Sequence, residues 1–286
     1  MILDEIAEKT KERVAEQKKK VPLEEMKRQA LDIVARETNN GRNPYTKFSF
    51  RDNLAEDGIS FICEVKKASP SKGLIAPDFP YVEIAKEYEV AGASAISVLT
   101  EPFYFQGSNQ FLMDIKKEVN IPLLRKDFTV DEYMIYEAKV IGASAVLLIC
   151  AILDDEQLAS YLQLAHELGM SALVEAHDEE EVRRAIACGA GIIGVNNRDL
   201  RTFTVDIMNS VRLRKLIPDT VPAAHMGTEV PVPSVPQKMV YVSESGIKTK
   251  EDIDRLKANG TDAVLIGETF MRSPDKKKLF AELRGE

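Results

Sequence analysis

Basic charge, cysteine, histidine and long apolar runs are all scarce in this chain, and each scarcity removes a class of function. Lys and Arg number 38 against 46 Asp and Glu, a net charge of -8, so an extended basic face for nucleic acid is not expected. Any anionic ligand has to be held by a local cluster. The three cysteines, Cys63, Cys150 and Cys188, are odd in number, far apart and set in apolar sequence. They imply no disulfide framework and predict reduced, buried thiols in a cytoplasmic protein. His166, His177 and His225 stand at no ligand spacing and join no carboxylate pair, so no metal is expected, and no cysteine has a histidine partner for nucleophilic chemistry. Nowhere do about 18 apolar residues run together, and residues 1–20 contain no apolar core of a signal peptide. Neither a membrane span nor a leader is expected.

What is present is a repeated alternation. The stretch Phe61 to Gly73, FICEVKKASPSKG, begins apolar and ends charged. Residues two apart on a strand share a face, so Ile62, Glu64 and Lys66 point one way and Cys63 and Val65 the other. Ionisable groups turned inward only at the C-terminal end mark a parallel barrel strand reaching an active-site mouth. An edge strand with a solvated Lys and Glu is the plainer alternative. From Ser60 onward the sequence predicts eight strands: Ser60 to Lys66, Ala95 to Leu99, Pro122 to Lys126, Ala145 to Ile149, Ala172 to Glu175, Ile192 to Asn196, Val240 to Glu244 and Ala263 to Ile266. Amphipathic helices fall between them, which requires a parallel sheet. The junctions AGASAISVL, IGASAVLLI, CGAGIIGVN and NGTDAVLIG recur, and with no G-x-G-x-x-G after any strand they favour a closed (βα)8 TIM barrel over an open doubly wound sheet.

Two amphipathic helices precede the first strand, one with Leu3, Ala7, Thr10, Val14 and Gln17 on its stripe, the other opened by Pro22 and stopped by Asn39, Asn40, Gly41 and Pro44. They predict an N-terminal helical extension over residues 1–48, with the barrel over 49–286. A proline-rich insertion at 219–238, with prolines at 222, 231, 233 and 236, cannot be a helix or a central strand. It is expected to be a mobile loop on the face opposite the mouth.

Polar residues collect where barrel strands end: Glu64 and Lys66, Lys126, Glu175, Asn196 and Arg198, Glu244 and Ser245, and Gly267. Lys126 and Glu175 are the acid/base candidates. Near other cations a mouth lysine loses its proton more readily, and a carboxylate withdrawn from water holds its proton more firmly; a structural salt bridge between the two is the alternative. Gly246 in SESGI and Gly267 in LIGETFM leave backbone bare for a ligand, and ETFMRS is expected to form a short helix whose N-terminus faces an anion. Glu268 would repel a phosphate unless its carboxylate is directed away.

Together EVKKASPSKG, SVLTEPFYFQGS, PLLRKDF, LVEAH, IGVNNRDL, VSESGI and LIGETFM closely resemble the indole-3-glycerol phosphate synthase family of tryptophan biosynthesis, over nearly the whole chain. The resemblance implies cofactor-free ring closure, decarboxylation and dehydration of 1-(2-carboxyphenylamino)-1-deoxyribulose 5-phosphate. It implies Lys126 as general acid at the ketone oxygen, Glu175 as general base in dehydration, and Lys66 at the substrate carboxylate and as a second candidate acid. Glu64 and Asn196 would position hydroxyls and the lysine, with Arg198 and Glu244 in support. Ser69, Ser245, Gly246, Gly267 and the amide of Glu268 would form the phosphate side, and Phe105 a wall for the anthranilate ring. The helical extension would lie over the mouth. The expected partner is a phosphorylated, carboxylate-bearing small molecule, with no nucleic acid and no membrane, and the protein is expected to be a monomer or weak homo-oligomer. The competing readings are another phosphate-binding barrel such as phosphoribosylanthranilate isomerase, which would carry a catalytic cysteine and aspartate, and a non-catalytic barrel that binds a metabolite.

Overall fold

The computed structural model describes residues 2–40, 49–222 and 237–286. Among them eight parallel strands close into a barrel: β1 (Ser60–Val65), β2 (Ala95–Leu99), β3 (Leu123–Lys126), β4 (Ala145–Ile149), β5 (Ser171–Ala176), β6 (Ile192–Asn196), β7 (Val240–Glu244) and β8 (Ala263–Ile266). Closure is made by β1 against β8, with Ser60 opposite Ala263 and Cys63 opposite Ile266. This is a (βα)8 TIM barrel, as the alternation predicts.

Strand parity sorts the apolar residues into two cores. Ile62, Ala95, Leu124, Leu147, Leu173, Val242 and Leu265 fill the inside of the barrel. Phe61, Cys63, Ile96, Leu123, Val146, Val174, Ile193, Tyr241 and Val264 face outward against the helices. Those helices are α4 (Tyr81–Ala91), α5 (Asn109–Glu118), α6 (Glu132–Val140), α7 (Asp155–Glu167), α8 (Glu179–Ala187), α9 (Met208–Leu213), α10 (Lys250–Ala258) and α12 (Lys276–Arg284), with a short α11 (Glu268–Arg272) directly after β8. Side chains of Asp131, Asp154, Asp178, Thr249 and Asp275 cap α6, α7, α8, α10 and α12 by accepting from backbone N–H groups, each capping residue contributing about 1 kcal/mol.

The N-terminal segment touches both ends of the barrel. Helix α1 (Ile2–Lys20) places Leu3 and Ile6 in the inner core beside Phe128, so it lies at the mouth. Helix α2 (Leu23–Asn39) packs on α6 and ties Glu37 to the buried Lys139 at 2.7 Å. A third helix, α3 (Ser49–Leu54), was not expected from the sequence. Its Phe50 and Leu54 are fully buried in the inner core, while Asn53 bonds the Ser94 carbonyl oxygen before β2 and Arg51 donates to that of Lys238 before β7. It therefore closes the N-terminal end of the barrel. Burying Phe50 alone stabilises by about 2 kcal/mol.

Of the insertion at 219–238, residues 223–236 lie outside the described residues, as does His225. Its two flanks pair with each other, Thr220 bridging Lys238 and Val221 N donating to Gln237 O at 2.9 Å. Lys238 pairs with Asp262 at 2.6 Å, just before β8. That puts both flanks at the bottom of the barrel. Among the described residues no helix is long and apolar enough to cross a membrane.

Candidate active site

The strands are offset around the barrel, so alternate strands contribute side chains at similar heights. At the mouth, β1, β3, β5 and β7 supply Glu64, Lys126, Glu175 and Glu244, each in phase with an apolar inner residue two positions earlier (Ile62, Leu124, Leu173 and Val242). Above this layer a cavity of about 640 Å³ opens. Its lining includes Glu64, Lys66, Ser69, Phe105, Lys126, Glu175, Asn196, Arg198, Glu244, Ser245, Gly246, Gly267 and Glu268. Barrel closure thus brings every candidate residue into one space.

Lys126 sits at its centre. Its Nζ donates to Glu175 Oε2 at 2.8 Å and to Glu244 Oε2 at 2.9 Å, all three side chains being nearly buried. Burial alone would drive the proton off Lys126, but Glu175 and Glu244 outweigh it and hold its pKa above the ordinary lysine value. Burial likewise opposes the charge on Glu175, and Lys126 with His177 overcomes it, so Glu175 stays ionised below the usual carboxylate range. Both directions correct the expectation from sequence. The neighbours of Lys126 are carboxylates, because Lys66, the nearest inward cation in sequence, is occupied by Glu64. Glu244 goes the other way: burial raises it above the usual range despite Lys126. Its Oε1 is buried without a hydrogen-bond partner and points to the place where a Cβ on Gly194 would stand.

Glu175 is held on its second oxygen as well. Asn196 Nδ2 donates to Oε1 at 3.1 Å, and Asn196 Oδ1 in turn accepts the backbone N–H of Arg198 at 3.0 Å. The loop after β6 then folds back on itself through a bridge between Arg198 and Val205. Val205 lies against Gly246, whose φ of 87° and lack of a side chain both suit this contact. Ser245 beside it also has positive φ, 69°. Asn197 fixes this turn by donating to Ser243 Oγ at 3.0 Å and to the Ser245 carbonyl oxygen at 3.1 Å.

At β8, a Cβ on Gly267 would stand 2.8 Å from Lys66 Nζ and against Glu64. Lys66 therefore lies toward the glycine end of the mouth. The Glu268 carboxylate is turned to Arg272 Nε at 3.0 Å and Lys72 Nζ at 3.8 Å, which removes the repulsion foreseen for an anion there. Lys72 and Arg272 also line the cavity, which no spacing in the sequence signals; Lys72 stands in the ASPSKG run, yet only the fold brings it beside Glu268.

The opposite wall is aromatic. Glu101 accepts three successive backbone N–H groups, from Phe103, Tyr104 and Phe105, at 2.7 to 2.9 Å, which fixes the loop after β2. Phe105 then stands 6.1 Å from Phe128, centroid to centroid. Leu3 and Ile6 of α1 complete this side. Among the described residues no cluster of His, Cys, Asp and Glu could hold a metal ion.

The sequence matches the family model described as indole-3-glycerol phosphate synthase over residues 3–283. It is 52% identical over 285 residues to the indole-3-glycerol phosphate synthase of Ruminiclostridium cellulolyticum, covering 100% of this chain and 99% of that one. It is 52% identical over 284 residues to that of Endomicrobium trichonymphae, covering 99% and 100%. Among solved structures, 3-hexulose-6-phosphate synthase from Salmonella typhimurium superposes with a TM-score of 0.61 at 14% identity, covering 79% of this chain and 97% of that one. At that identity the likeness is one of fold.

Proposed function

The chain belongs to the indole-3-glycerol phosphate synthase family, and from that premise we propose how its mouth carries out the reaction. Indole-3-glycerol phosphate synthase is its function, an enzyme activity of tryptophan biosynthesis. The substrate in this reading is 1-(2-carboxyphenylamino)-1-deoxyribulose 5-phosphate. Its phosphate lies at Ser245, Gly246, Gly267 and the amide of Glu268, with Ser69 on the same side. The anthranilate ring rests on Phe105, and Lys66 meets the carboxylate.

The observation that carries the reading is Lys126 Nζ held between two carboxylates at the bottom of this cavity. An ammonium fixed there is charged at neutral pH and aimed at a ketone oxygen resting on it. As the ring carbon bearing the carboxylate attacks the ketone carbon, negative charge develops on that oxygen, and Lys126 stabilises it and transfers a proton. Loss of CO2 restores the aromatic ring. The hydroxyl then leaves as water, Lys66 being the second candidate donor, while Glu175 removes a proton from the carbon between the ring nitrogen and the former ketone carbon. That C–H is made acidic by the adjoining iminium, so a carboxylate of low basicity suffices. Glu64 holds Lys66, Asn196 holds Glu175, and Arg198 and Glu244 support them. Loss of CO2 makes the enzyme a carboxy-lyase, with no cofactor called for by these steps, acting in the cytoplasm.

The test is to incubate the purified protein with this substrate and follow indole fluorescence together with CO2 release. Equal amounts of both are expected. Absence of indole product with intact, folded protein would overturn the reading.

A further inference from the structure

His177 lies two residues beyond Glu175, and it is not part of the cavity lining. The distances around it nevertheless centre on the carboxylate assigned above as the base. Glu175 Oε1, already bonded by Asn196, is faced by His177 Nε2 at 3.4 Å. That nitrogen is closed off from solvent and has no fully formed hydrogen bond among the described residues. On the other side of the ring, Nδ1 is 3.0 Å from Glu181 Oε2, and the same oxygen accepts the His177 backbone N–H at 2.8 Å. Glu181 is itself anchored, its N–H donating to Asp178, the residue that caps α8. Asn209 of α9 bonds the His177 carbonyl oxygen at 2.9 Å. Glu181 of α8 holds the ring and Asn209 of α9 holds the His177 backbone, and the buried ring nitrogen without a full hydrogen bond faces Glu175.

We propose that His177 is a positioning residue for Glu175: held at Nδ1 by Glu181, its imidazolium presents Nε2–H to Glu175 Oε1 and keeps that carboxylate oriented and charged as the proton acceptor. The charges facing this pair come from every side. Lys126 meets the far oxygen of Glu175, and Glu181 meets the far nitrogen of His177. Arg184 of α8 acts on Glu181, and Cys150 after β4, whose thiol burial pushes up to about 12, is neutral. Burial works against a charged His177, but the carboxylates of Glu175 and Glu181 outweigh this and push its pKa up to about 10. Two carboxylates on one ring leave it a cation across the neutral range.

An acceptor with Lys126 on one oxygen and His177 with Asn196 on the other cannot rotate, and its proton-accepting face is set. When Glu175 takes the proton during dehydration, His177 and Lys126 again favour its release, which returns the carboxylate to its ionised state.

The inference rests on Glu175 as the base, so the experiment has an arm that uses no substrate. In that arm the His177 imidazole is followed by NMR against pH in the wild type and in Glu175→Gln. His177 is expected to remain protonated through neutral pH in the wild type, and to titrate about one pH unit or more lower in the variant, the scale of one lost neighbouring charge. In the kinetic arm, the acid limb of kcat/KM should move up by about one pH unit in His177→Gln, because a Glu175 without the cation protonates more easily. Glu181→Gln should shift the limb the same way, and it should add nothing in the His177→Gln background. A His177 titration indifferent to Glu175→Gln would overturn the proposal. So would an unchanged acid limb in His177→Gln with only a lowered melting temperature, which is what a purely structural residue gives. Coupled titrations in a protein that makes no indole would instead remove the functional reading and leave the Glu175–His177 pair standing.

Discussion

Arg13 of α1 grips Asp127, the residue after Lys126, with one nitrogen donating to both carboxylate oxygens at 2.8 and 2.9 Å. Asp127 is fully buried and also accepts from Thr100 at 2.8 Å. The helix that roofs the mouth is thereby tied to the strand end that carries the central lysine. Arg13→Met should destabilise the protein by about 3 kcal/mol, the cost of leaving one member of a buried pair behind. Burial would raise the Asp127 pKa, but Arg13 and Arg125 overcome it and hold it below the usual value. The stability this gives is present above the ordinary aspartate range and is lost as pH falls through the folded-state value. Removing Arg13 raises that value, so acid unfolding should begin at higher pH, as a denaturation series from pH 7 to pH 3 would record. Equal acid midpoints for the two proteins would contradict the link.

Lys126→Met removes the proposed proton donor with little change of volume. Turnover at saturating substrate should fall by about 10² or more, the range of general acid catalysis. Two carboxylates, Glu175 and Glu244, are then left facing each other without their cation. Glu244, already raised by burial, would take up a proton more readily folded than unfolded, so its stability contribution is present at low pH and lost as pH rises. The variant's melting temperature should therefore drop further below wild type at pH 8 than at pH 5. Turnover near wild type would sink the assignment of Lys126.

Gly194→Ala tests how Glu244 is accommodated. An added Cβ would collide with Glu244 Oε1 and stand 3.1 Å from Leu173 Cδ1, both inside the barrel where nothing can move outward. Glu244 should be pushed off Lys126, costing roughly 1–3 kcal/mol for overpacking and lowering kcat about tenfold or more. Wild-type kcat in this variant would mean that Glu244 need not touch Lys126.

Gly267→Asp should raise KM by more than tenfold, because it blocks backbone approach and adds negative charge on the proposed phosphate side. The nearness of Lys66 Nζ adds a consequence: kcat should fall as well, as Lys66 and Glu64 are displaced. Steady-state kinetics with inorganic phosphate as competitor would check both, and an unchanged KM would place the phosphate elsewhere.

What the sequence decided by itself is the architecture and the inventory of the mouth. Eight apolar runs, five of them with polar C-terminal ends, separated by helix-length amphipathic segments, leave a parallel barrel as the arrangement that buries every strand on both faces, and parity alone turns Glu64, Lys126, Glu175 and Glu244 inward. Helix α3 escaped this reading because six residues with two apolar positions, Phe50 and Leu54, show no period. Only the open lower end of the barrel gives them a partner. The charge states could not be read either. Lys126 meets Glu175 and Glu244 across 49 and 118 residues of chain, through the register of strands that are not neighbours in sequence. Whether a buried lysine loses its proton or keeps it depends on which groups stand within about 4 Å, and that is set by closure of the barrel. The same holds for His177: the motif LVEAH places it near Glu175, but its ring is oriented by Glu181 of α8 and its backbone held by Asn209 of α9, two different helices packed against the barrel.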